Sequence, residues 1–165
     1  MRAAQPSDRA HNGGMSEPRR LPKLPLSEVP ELAQHDVLVF DGDCRFCQAQ
    51  VKRLSRWTGP QLVPLPLQKP GLLAALDIDH AQAMRAMQLV TQDGLIFQGV
   101  EAVVQALRKR PILGRLLKLY YLPGCRQLAD LGYRLIARYR YRIMGRAIAR
   151  GECDGGSCAL HFEAK

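Results

Sequence analysis

The 165-residue chain is 47% hydrophobic and carries a formal net charge of +9, which predicts one globular domain with its own core. Its five cysteines are too few for a disulfide-stapled secreted scaffold, and their odd number excludes complete pairing. The N-terminus has no apolar segment after its arginines, and no apolar run approaches the roughly 18 residues of a membrane span. We therefore expect a cytoplasmic protein without a membrane span.

The basic charge is concentrated in the C-terminal third. Residues 105–150 contain 12 lysines and arginines against one acidic residue, Asp130. Such a segment fits an acidic partner, a membrane surface or a nucleic acid, but a solvated face on long helices is the simpler interpretation. We expect no nucleic acid as partner, because exposed aromatics are not interleaved with the charges and no recognised module is present.

Composition divides the chain into three parts. Residues 1–34 contain five prolines and a Gly13-Gly14 pair, which predicts a flexible leader. Residues 35–150 have the apolar periodicity of a folded domain with a helical extension at its C-terminal end. Residues 151–165 form a Gly-rich tail that carries Cys153 and Cys158.

The elements of the domain follow in the order β-α-β-α-β-β-α. We predict a buried strand over 37–41, a helix over 44–57, a strand over 61–67, one or two short helices over 71–86, a hairpin over 87–98 around Asp93-Gly94, and a helix over 101–109. Pro64 and Pro66 restrict the second strand to a sheet edge. This order predicts an α/β fold, a thioredoxin-like mixed sheet flanked by helices.

A last helix is predicted over 127–150. Its apolar stripe, which we expect to face the core, consists of Leu128, Leu131, Leu135, Tyr139, Ile143 and Ala147. A row of arginines recurs every four residues beside that stripe: Arg134, Arg138, Arg142, Arg146 and Arg150. We interpret Trp57, at the end of the first helix, as a core residue.

The pair Cys44 and Cys47 lies after a strand and a tight turn, at the start of a helix. Two thiols at this spacing can close a small disulfide, and the helix start favours a thiolate on the first, so the arrangement predicts redox chemistry. Two alternatives stay open. In a basic binding module, Cys153 and Cys158 complete a zinc site with this pair. In a phosphatase-like enzyme, Asp41 and Asp43 supply the nucleophile and the general acid.

Two separated motifs resemble the DCC family of thiol-disulfide oxidoreductases. Asp41, Cys44 and Cys47 match its Asp-x-x-Cys-x-x-Cys element, and residues 133–141 with Gly145 are similar to its Tyr-x-x-Ile-Ala-Arg-Asn-Arg-Tyr segment and later glycine. Tyr139 replaces the family's asparagine. The resemblance spans about residues 37–150, and it implies a thioredoxin-like fold and a dithiol/disulfide activity whose natural substrates are poorly defined.

Thioredoxins proper place a cis-proline opposite the dithiol. Since no proline occurs here between Gly71 and Arg110, we expect Ala86-Met87 in that place and a different mode of substrate contact.

We predict an enzyme that exchanges its dithiol with protein or small-molecule disulfides, with no metal and no cofactor. Cys44 is the attacking thiolate and the more acidic thiol, whereas Cys47 is the resolving thiol and the more buried one. Asp41 is a candidate proton carrier or a structural residue.

Further residues complete the prediction. Arg138 and Arg142 are candidates for an electropositive wall that draws anionic substrates. Cys153 and Cys158 are candidates for a second redox pair, with two unpaired thiols as the alternative; no role follows for Cys125. The expected partners are a disulfide-containing protein or a low-molecular-weight thiol, and a reducing partner.

Overall fold

The structure, a computed structural model, describes residues 18–108, 117–122 and 124–146. Within these residues five strands form one mixed sheet: β1 (Arg19–Arg20), β2 (Asp36–Phe40), β3 (Leu62–Pro66), β4 (Gln88–Val90) and β5 (Leu95–Gln98). Their order across the sheet is β1-β5-β4-β2-β3. β2 runs parallel to β3 and antiparallel to β4, and the β4-β5 and β1-β5 pairs are antiparallel.

The prolines and the turn chemistry place two strands as predicted. β3 carries Pro64 and Pro66 and lies at one edge of the sheet, where a missing backbone N–H leaves no ladder partner unpaired on the outer side. β4 and β5 form the predicted hairpin, and Gly94 supplies the positive φ of +76° that its turn requires.

The described residues contain five α-helices: α1 (Arg45–Thr58), α2 (Leu72–Ala75), α3 (His80–Arg85), α4 (Val100–Arg108) and α5 (Cys125–Met144). Short 3-10 helices span Pro30–Ala33, Gly59–Gln61 and Leu117–Tyr121. The segment predicted as one or two short helices therefore forms two, α2 and α3. None of these helices is both long enough and apolar enough to cross a membrane.

The interior strand β2 is buried on both sides, so its alternating side chains contribute to two core clusters. Val37 and Val39 belong to a cluster with residues of α2 and α3, whereas Leu38 and Phe40 belong to a cluster with residues of α1 and α4. Helices thus pack on both faces of the mixed sheet, which confirms the predicted α/β, thioredoxin-like arrangement.

Residues 18–34 differ from the predicted flexible leader. β1 pairs with β5, and Leu21, Val29 and Leu32 are buried in the first core cluster. The prolines of this segment punctuate a packed chain because Pro30 occupies the first turn of a 3-10 helix, a position that needs no N–H donor. Residues 1–17 lie outside the described part of the chain.

The prediction for the last helix was wrong in its buried face and in its end. The stripe predicted to face the core is exposed: Leu128, Leu131, Leu135, Tyr139 and Ile143 are all among the exposed large hydrophobic residues. α5 packs instead through the side that carries Tyr133, Ala137 and Arg140. It ends at Met144, because Gly145 takes a left-handed φ of +73° and stops the helix.

Candidate active site

Cys44 caps the N-terminus of α1, directly after the turn that follows β2. Its backbone is extended, and its Sγ accepts a hydrogen bond from the backbone N–H of Cys47, with a donor–acceptor distance of 3.2 Å. The carbonyl of Cys44 accepts a helical hydrogen bond from Gln48. A sulfur in this position receives one of the free N–H groups of the helix start and the positive end of its dipole, which stabilises a thiolate.

The relative burial of the two thiols is the reverse of the prediction. Cys44 is 0% exposed and Cys47 is 6% exposed. Arg146, just after the end of α5, forms an isolated antiparallel β-bridge with Cys44. The expectation that Cys47 is the more buried thiol was wrong, because position along a single helix does not reveal tertiary contacts of this kind.

Cys47 retains its proton. Burial and, to a smaller extent, the hydrogen bond with Cys44 raise the pKa of the Cys47 thiol from 9.0 to about 12, although the charge of Arg140 acts in the opposite direction. A thiol with this pKa is protonated at neutral pH. A protonated Cys47 suits the resolving role that the sequence predicts for it, and the roles of the two thiols stay predictions.

Asp41 is the centre of a buried polar cluster beneath the dithiol. Its side chain is 1% exposed and that of Arg140 is 7% exposed, and Arg140 Nη2 lies 3.1 Å from Asp41 Oδ2. The hydroxyl of Tyr141 donates a short hydrogen bond to the same oxygen. Asp41 Oδ1 accepts from the backbone N–H of Asp43 at 3.1 Å and from Gln68 Nε2 at 3.0 Å. Both carboxylate oxygens are thus fully engaged.

Arg140 links this cluster to the protein body. Its Nη2 also donates to the carbonyl of Met84 at 2.6 Å, and its guanidinium lies 4.9 Å from the Tyr141 ring centroid. Burial alone lowers the pKa of Arg140, but Cys47, Tyr141 and Asp41 together raise it above its ordinary value. Burial and the hydrogen bond to Asp41 raise the pKa of Tyr141 to about 12. Tyr141 therefore remains a donor across the physiological range.

The cluster joins the two sequence motifs, since Asp41 lies 99 residues from Arg140 and 100 from Tyr141. Arg140 is not a member of the row of arginines at four-residue spacing, so that row did not identify it. Arg140 and Tyr141 both belong to the second motif. Asking which residues of that motif could pair with Asp41 of the first motif could have identified them.

Tyr133, another residue of the second motif, binds the segment that faces the dithiol. Its hydroxyl accepts a hydrogen bond from the backbone N–H of Met87 at 3.1 Å, and burial raises its pKa. The carbonyl of Met87 accepts from the N–H of Gly99 at 2.9 Å. Met87 and Cys47 line the same pocket, so Met87 lies beside the dithiol, as its position in the sequence predicted.

That pocket has a volume of about 330 Å³. It is lined by side chains of α1 (Phe46, Cys47, Gln50, Arg53, Leu54, Trp57), by Met87, by Val103 and Leu107 of α4, and by Tyr133, Ile136, Ala137 and Arg140 of α5. Trp57 is 58% exposed, so its interpretation as a core residue was wrong: it lies on the pocket wall. Of the two cysteines of the dithiol, Cys47 lines this cavity and Cys44 does not.

The predicted wall of Arg138 and Arg142 lies elsewhere. Both side chains are exposed, and neither lines the pocket at Cys47. Each lies two residues from Arg140, which at 3.6 residues per turn places it about 200° around the helix from the buried arginine. Their role in drawing anionic substrates stays a prediction. Cys125 is exposed at the start of α5, and Cys153 and Cys158 lie outside the described residues.

The two alternative site chemistries fare differently. Within the described residues no three histidine, cysteine or acidic side chains gather around a common point, and the zinc alternative depends on Cys153 and Cys158, which are not described. The phosphatase alternative needs an accessible Asp41. Its carboxylate is buried and bonded at both oxygens, which leaves no lone pair free to attack a phosphate.

The family model of the DCC1-like thiol-disulfide oxidoreductases matches residues 38–146. This range begins in β2 and ends at Arg146, so it contains both motifs and the buried cluster that they build. No curated protein and no solved structure matches the chain.

Proposed function

We propose, from the premise that the chain belongs to the DCC1-like thiol-disulfide oxidoreductase family, that it exchanges the Cys44/Cys47 dithiol with the disulfides of proteins or small molecules. One observation carries the proposal: Cys44 Sγ accepts the Cys47 N–H at a helix start, while Cys47 holds its proton. A thiolate beside a protonated thiol is the state that begins an exchange reaction.

In the reductive direction, the Cys44 thiolate attacks one sulfur of the substrate disulfide. A bond forms between Cys44 and that sulfur, and the other sulfur leaves as a thiolate. Cys47 then gives up its proton and attacks Cys44 Sγ, which closes the Cys44–Cys47 disulfide and releases the second substrate thiolate. The protein loses two electrons and the substrate gains two; one proton from Cys47 and one from solvent complete the two product thiols.

The buried cluster sets the electrostatics of the second step. Arg140 lowers the pKa of Cys47, whereas Asp41 raises it. Because Asp41 and Tyr141 also hold Arg140 in place, the cluster fixes a positive charge beside the thiol that must ionise. In this proposal Asp41 acts through Arg140 and Tyr141 as a positioning residue, and proton transfer to its carboxylate is a secondary possibility because both oxygens are already bonded.

Access to Cys44 depends on the segment after α5. Since Cys44 is fully buried, a substrate sulfur reaches it only when neighbouring chain moves, and the bridge between Arg146 and Cys44 is the contact that we propose to open. An isolated bridge at the end of a helix is held by few contacts. The guanidinium of Arg146 lies 5.1 Å from the centroid of the Tyr141 ring, an exposed interaction of small free energy.

The experiment is to equilibrate the protein with mixtures of reduced and oxidised glutathione and to quantify the Cys44–Cys47 disulfide by mass spectrometry. We expect a reversible two-electron transition, and its potential separates an oxidant from a reductant, since the two kinds differ by ~150 mV. Cys44→Ser and Cys47→Ser should abolish the transition, whereas Cys125→Ser, at an exposed cysteine away from the pair, should leave it unchanged.

Trapping assigns the two roles. A mixed disulfide that accumulates on Cys44 in the Cys47→Ser variant supports Cys44 as the attacking thiol. Accumulation on Cys47 in Cys44→Ser instead reverses the roles, as the exposure of Cys47 in the pocket permits. About one zinc per chain, lost together with the fold on chelation, contradicts the redox function.

The remaining partners belong to the same proposal. A low-molecular-weight thiol or a protein dithiol regenerates the reduced pair by the reverse exchange. The cytoplasm, the compartment that the sequence predicts, supplies thiols of this kind.

A further inference from the structure

We infer that the pocket beside Cys47 binds the apolar substituent of a low-molecular-weight disulfide, so that the natural substrate has a hydrophobic group next to its sulfur. The inference rests on the proposed exchange activity and adds the class of its substrate. It comes from three observations: what lines the pocket, what the neighbouring backbone is already bonded to, and which buried donor remains without a partner.

The lining of the pocket is apolar except at a few points. Leu54, Leu107 and Val103 form its inner wall, Phe46 lies next to Cys47, and the exposed side chains of Trp57 and Ile136 lie toward solvent. A volume of about 330 Å³ is at the small end of the range for ligand pockets. Cys47 is the cysteine of the pair that lines this pocket, so a molecule that fills the pocket places its sulfur next to the dithiol.

A small molecule fits this site better than an extended peptide. A peptide strand that docks beside the dithiol needs free backbone donors and acceptors to pair with. Met87 faces the pocket, but Tyr133 already accepts its N–H and Gly99 already donates to its carbonyl. Affinity must therefore come from side-chain contact inside a compact cavity.

Arg140 places a positive charge beside the pocket. It lines the pocket and is buried, and its Nε–H finds no hydrogen-bond acceptor within the described residues. The charge of Arg140 favours the thiolate that leaves when the substrate disulfide is split, while the apolar substituent of that thiolate remains in the pocket.

The test compares two uncharged disulfides on the reduced full-length protein: benzyl 2-hydroxyethyl disulfide and bis(2-hydroxyethyl) disulfide. Oxidation of the Cys44/Cys47 pair is followed by acid quench and mass spectrometry. Burial of roughly 55 Å² of apolar surface is enough for a tenfold difference, so we expect the benzyl compound to react about ten times faster at equal concentration.

Two variants of adjacent residues on α5 provide the matched control. Ile136 lines the pocket and Leu135 does not, although both side chains are exposed. Ile136→Gln should reduce the rate ratio to about threefold or less, and Ala137→Phe, which fills the pocket, should bring it close to one. Leu135→Gln should retain the tenfold ratio. Equal melting temperatures for Ile136→Gln and Leu135→Gln show that folding does not explain the difference.

A binding measurement separates this inference from the redox function. Trp57 is the one tryptophan of the chain, so its fluorescence reports on the pocket. The inert thioether benzyl 2-hydroxyethyl sulfide should change it saturably in wild type and Leu135→Gln, and several-fold more weakly in Ile136→Gln. Saturable binding without any dithiol oxidation overturns the exchange activity and leaves the pocket site standing.

The remaining outcomes overturn the inference. Equal rates for the two disulfides in wild type mean that the pocket does not select an apolar group, although the exchange activity stands. A peptide disulfide with leucine beside cysteine that reacts faster than the benzyl compound assigns the pocket to a protein side chain. If Ile136→Gln and Leu135→Gln reduce the rate ratio equally, the preference for the benzyl compound arises outside the pocket.

Discussion

The two faces of α5 are placed in the reverse of what their composition predicts. The outer face is rich in large apolar side chains and lies in solvent: Leu128, Leu131, Leu135, Tyr139 and Ile143. The inner face contacts the dithiol region through hydroxyl and guanidinium groups: Tyr133, Arg140 and Tyr141. The comparison teaches that burial here follows the availability of partners. Arg140 is buried because it forms an ion pair with the buried Asp41 carboxylate, whereas the leucines remain exposed on the side of α5 that faces away from the domain.

The energetic consequence is that the inner face holds the fold and the outer face does not. Removing one partner of a buried ion pair leaves the other charge desolvated, which costs about 3–5 kcal/mol. Changing an exposed side chain away from any special feature costs within about 0.5 kcal/mol. The following experiments compare the two faces, from the largest expected effect to the smallest.

Arg140→Met should lower the free energy of unfolding by about 3–5 kcal/mol, because Asp41 and the Tyr141 hydroxyl lose their cation in a buried site. Arg138→Met, two residues away on the outer face, should change it by less than about 0.5 kcal/mol. Urea unfolding followed by circular dichroism measures both. Equal losses in the two variants would mean that the Asp41–Arg140 pair contributes no more than a surface contact.

Stability should fall as the pH rises from about 9 to about 12. The pKa of Cys47 rises from 9.0 to about 12 on folding and that of Tyr141 from 10.0 to about 12, so above pH 9 the unfolded chain releases protons that the folded chain keeps. The stabilisation is complete below pH 9 and is lost at a rate of at most about 1.4 kcal/mol per pH unit for each group.

Denaturant titrations at fixed pH values measure this slope. Cys47→Ala should flatten the part that begins near pH 9, and Tyr141→Phe should remove one share of the part that begins near pH 10, to which Tyr120 and Tyr133 also contribute through their raised pKa values. A stability that increases with pH over this window would contradict the raised pKa values.

Tyr141→Phe should cost about 1–2 kcal/mol, since the short hydrogen bond to Asp41 is lost while the ring and its contact with Arg140 remain. Tyr139→Phe provides the control on the outer face and should be neutral within about 0.5 kcal/mol. Thermal unfolding compares the two tyrosines directly. If Tyr139→Phe costs as much, the hydroxyl of Tyr141 has no special role.

The smallest expected effect is on the rate of reaction with anionic disulfides. It shows whether Arg53 or the pair Arg138 and Arg142 attracts them. Arg53 lines the pocket, whereas Arg138 and Arg142 are exposed on α5 away from it. We expect Arg53→Gln to slow oxidation by glutathione disulfide two- to threefold at low salt, and Arg138→Gln with Arg142→Gln to have a smaller effect. Arg56→Gln, on the same helix outside the pocket lining, is the control for Arg53.

The salt dependence completes this test. An electrostatic effect should fade as the ionic strength rises, and a neutral disulfide should show none of it. If the outer pair slows glutathione disulfide more than Arg53→Gln does, the arginine wall predicted from the sequence is the one that draws anions.

Local chemistry allowed most of the fold to be predicted from the sequence. Two prolines confine β3 to an edge, Asp93-Gly94 makes a hairpin, and a short apolar run before a turn makes the buried strand that ends at the dithiol. Each of these signals acts over a few residues, because dihedral preferences and missing N–H groups are properties of single positions. The helix start at Cys44, and hence the chemistry of its sulfur, belongs to the same class.

Only the tertiary structure decided which face of α5 is buried and which thiol is covered. Arg140 gains a partner 99 residues away, and Arg146, beyond the end of the helix, forms a β-bridge with Cys44. A buried charge is stable only with its counter-ion and hydrogen bonds in place, so its burial depends on residues that local periodicity cannot identify. An apolar stripe in the sequence shows how hydrophobic one face of a helix is. Whether that face is buried depends on whether the rest of the chain offers a surface to cover it.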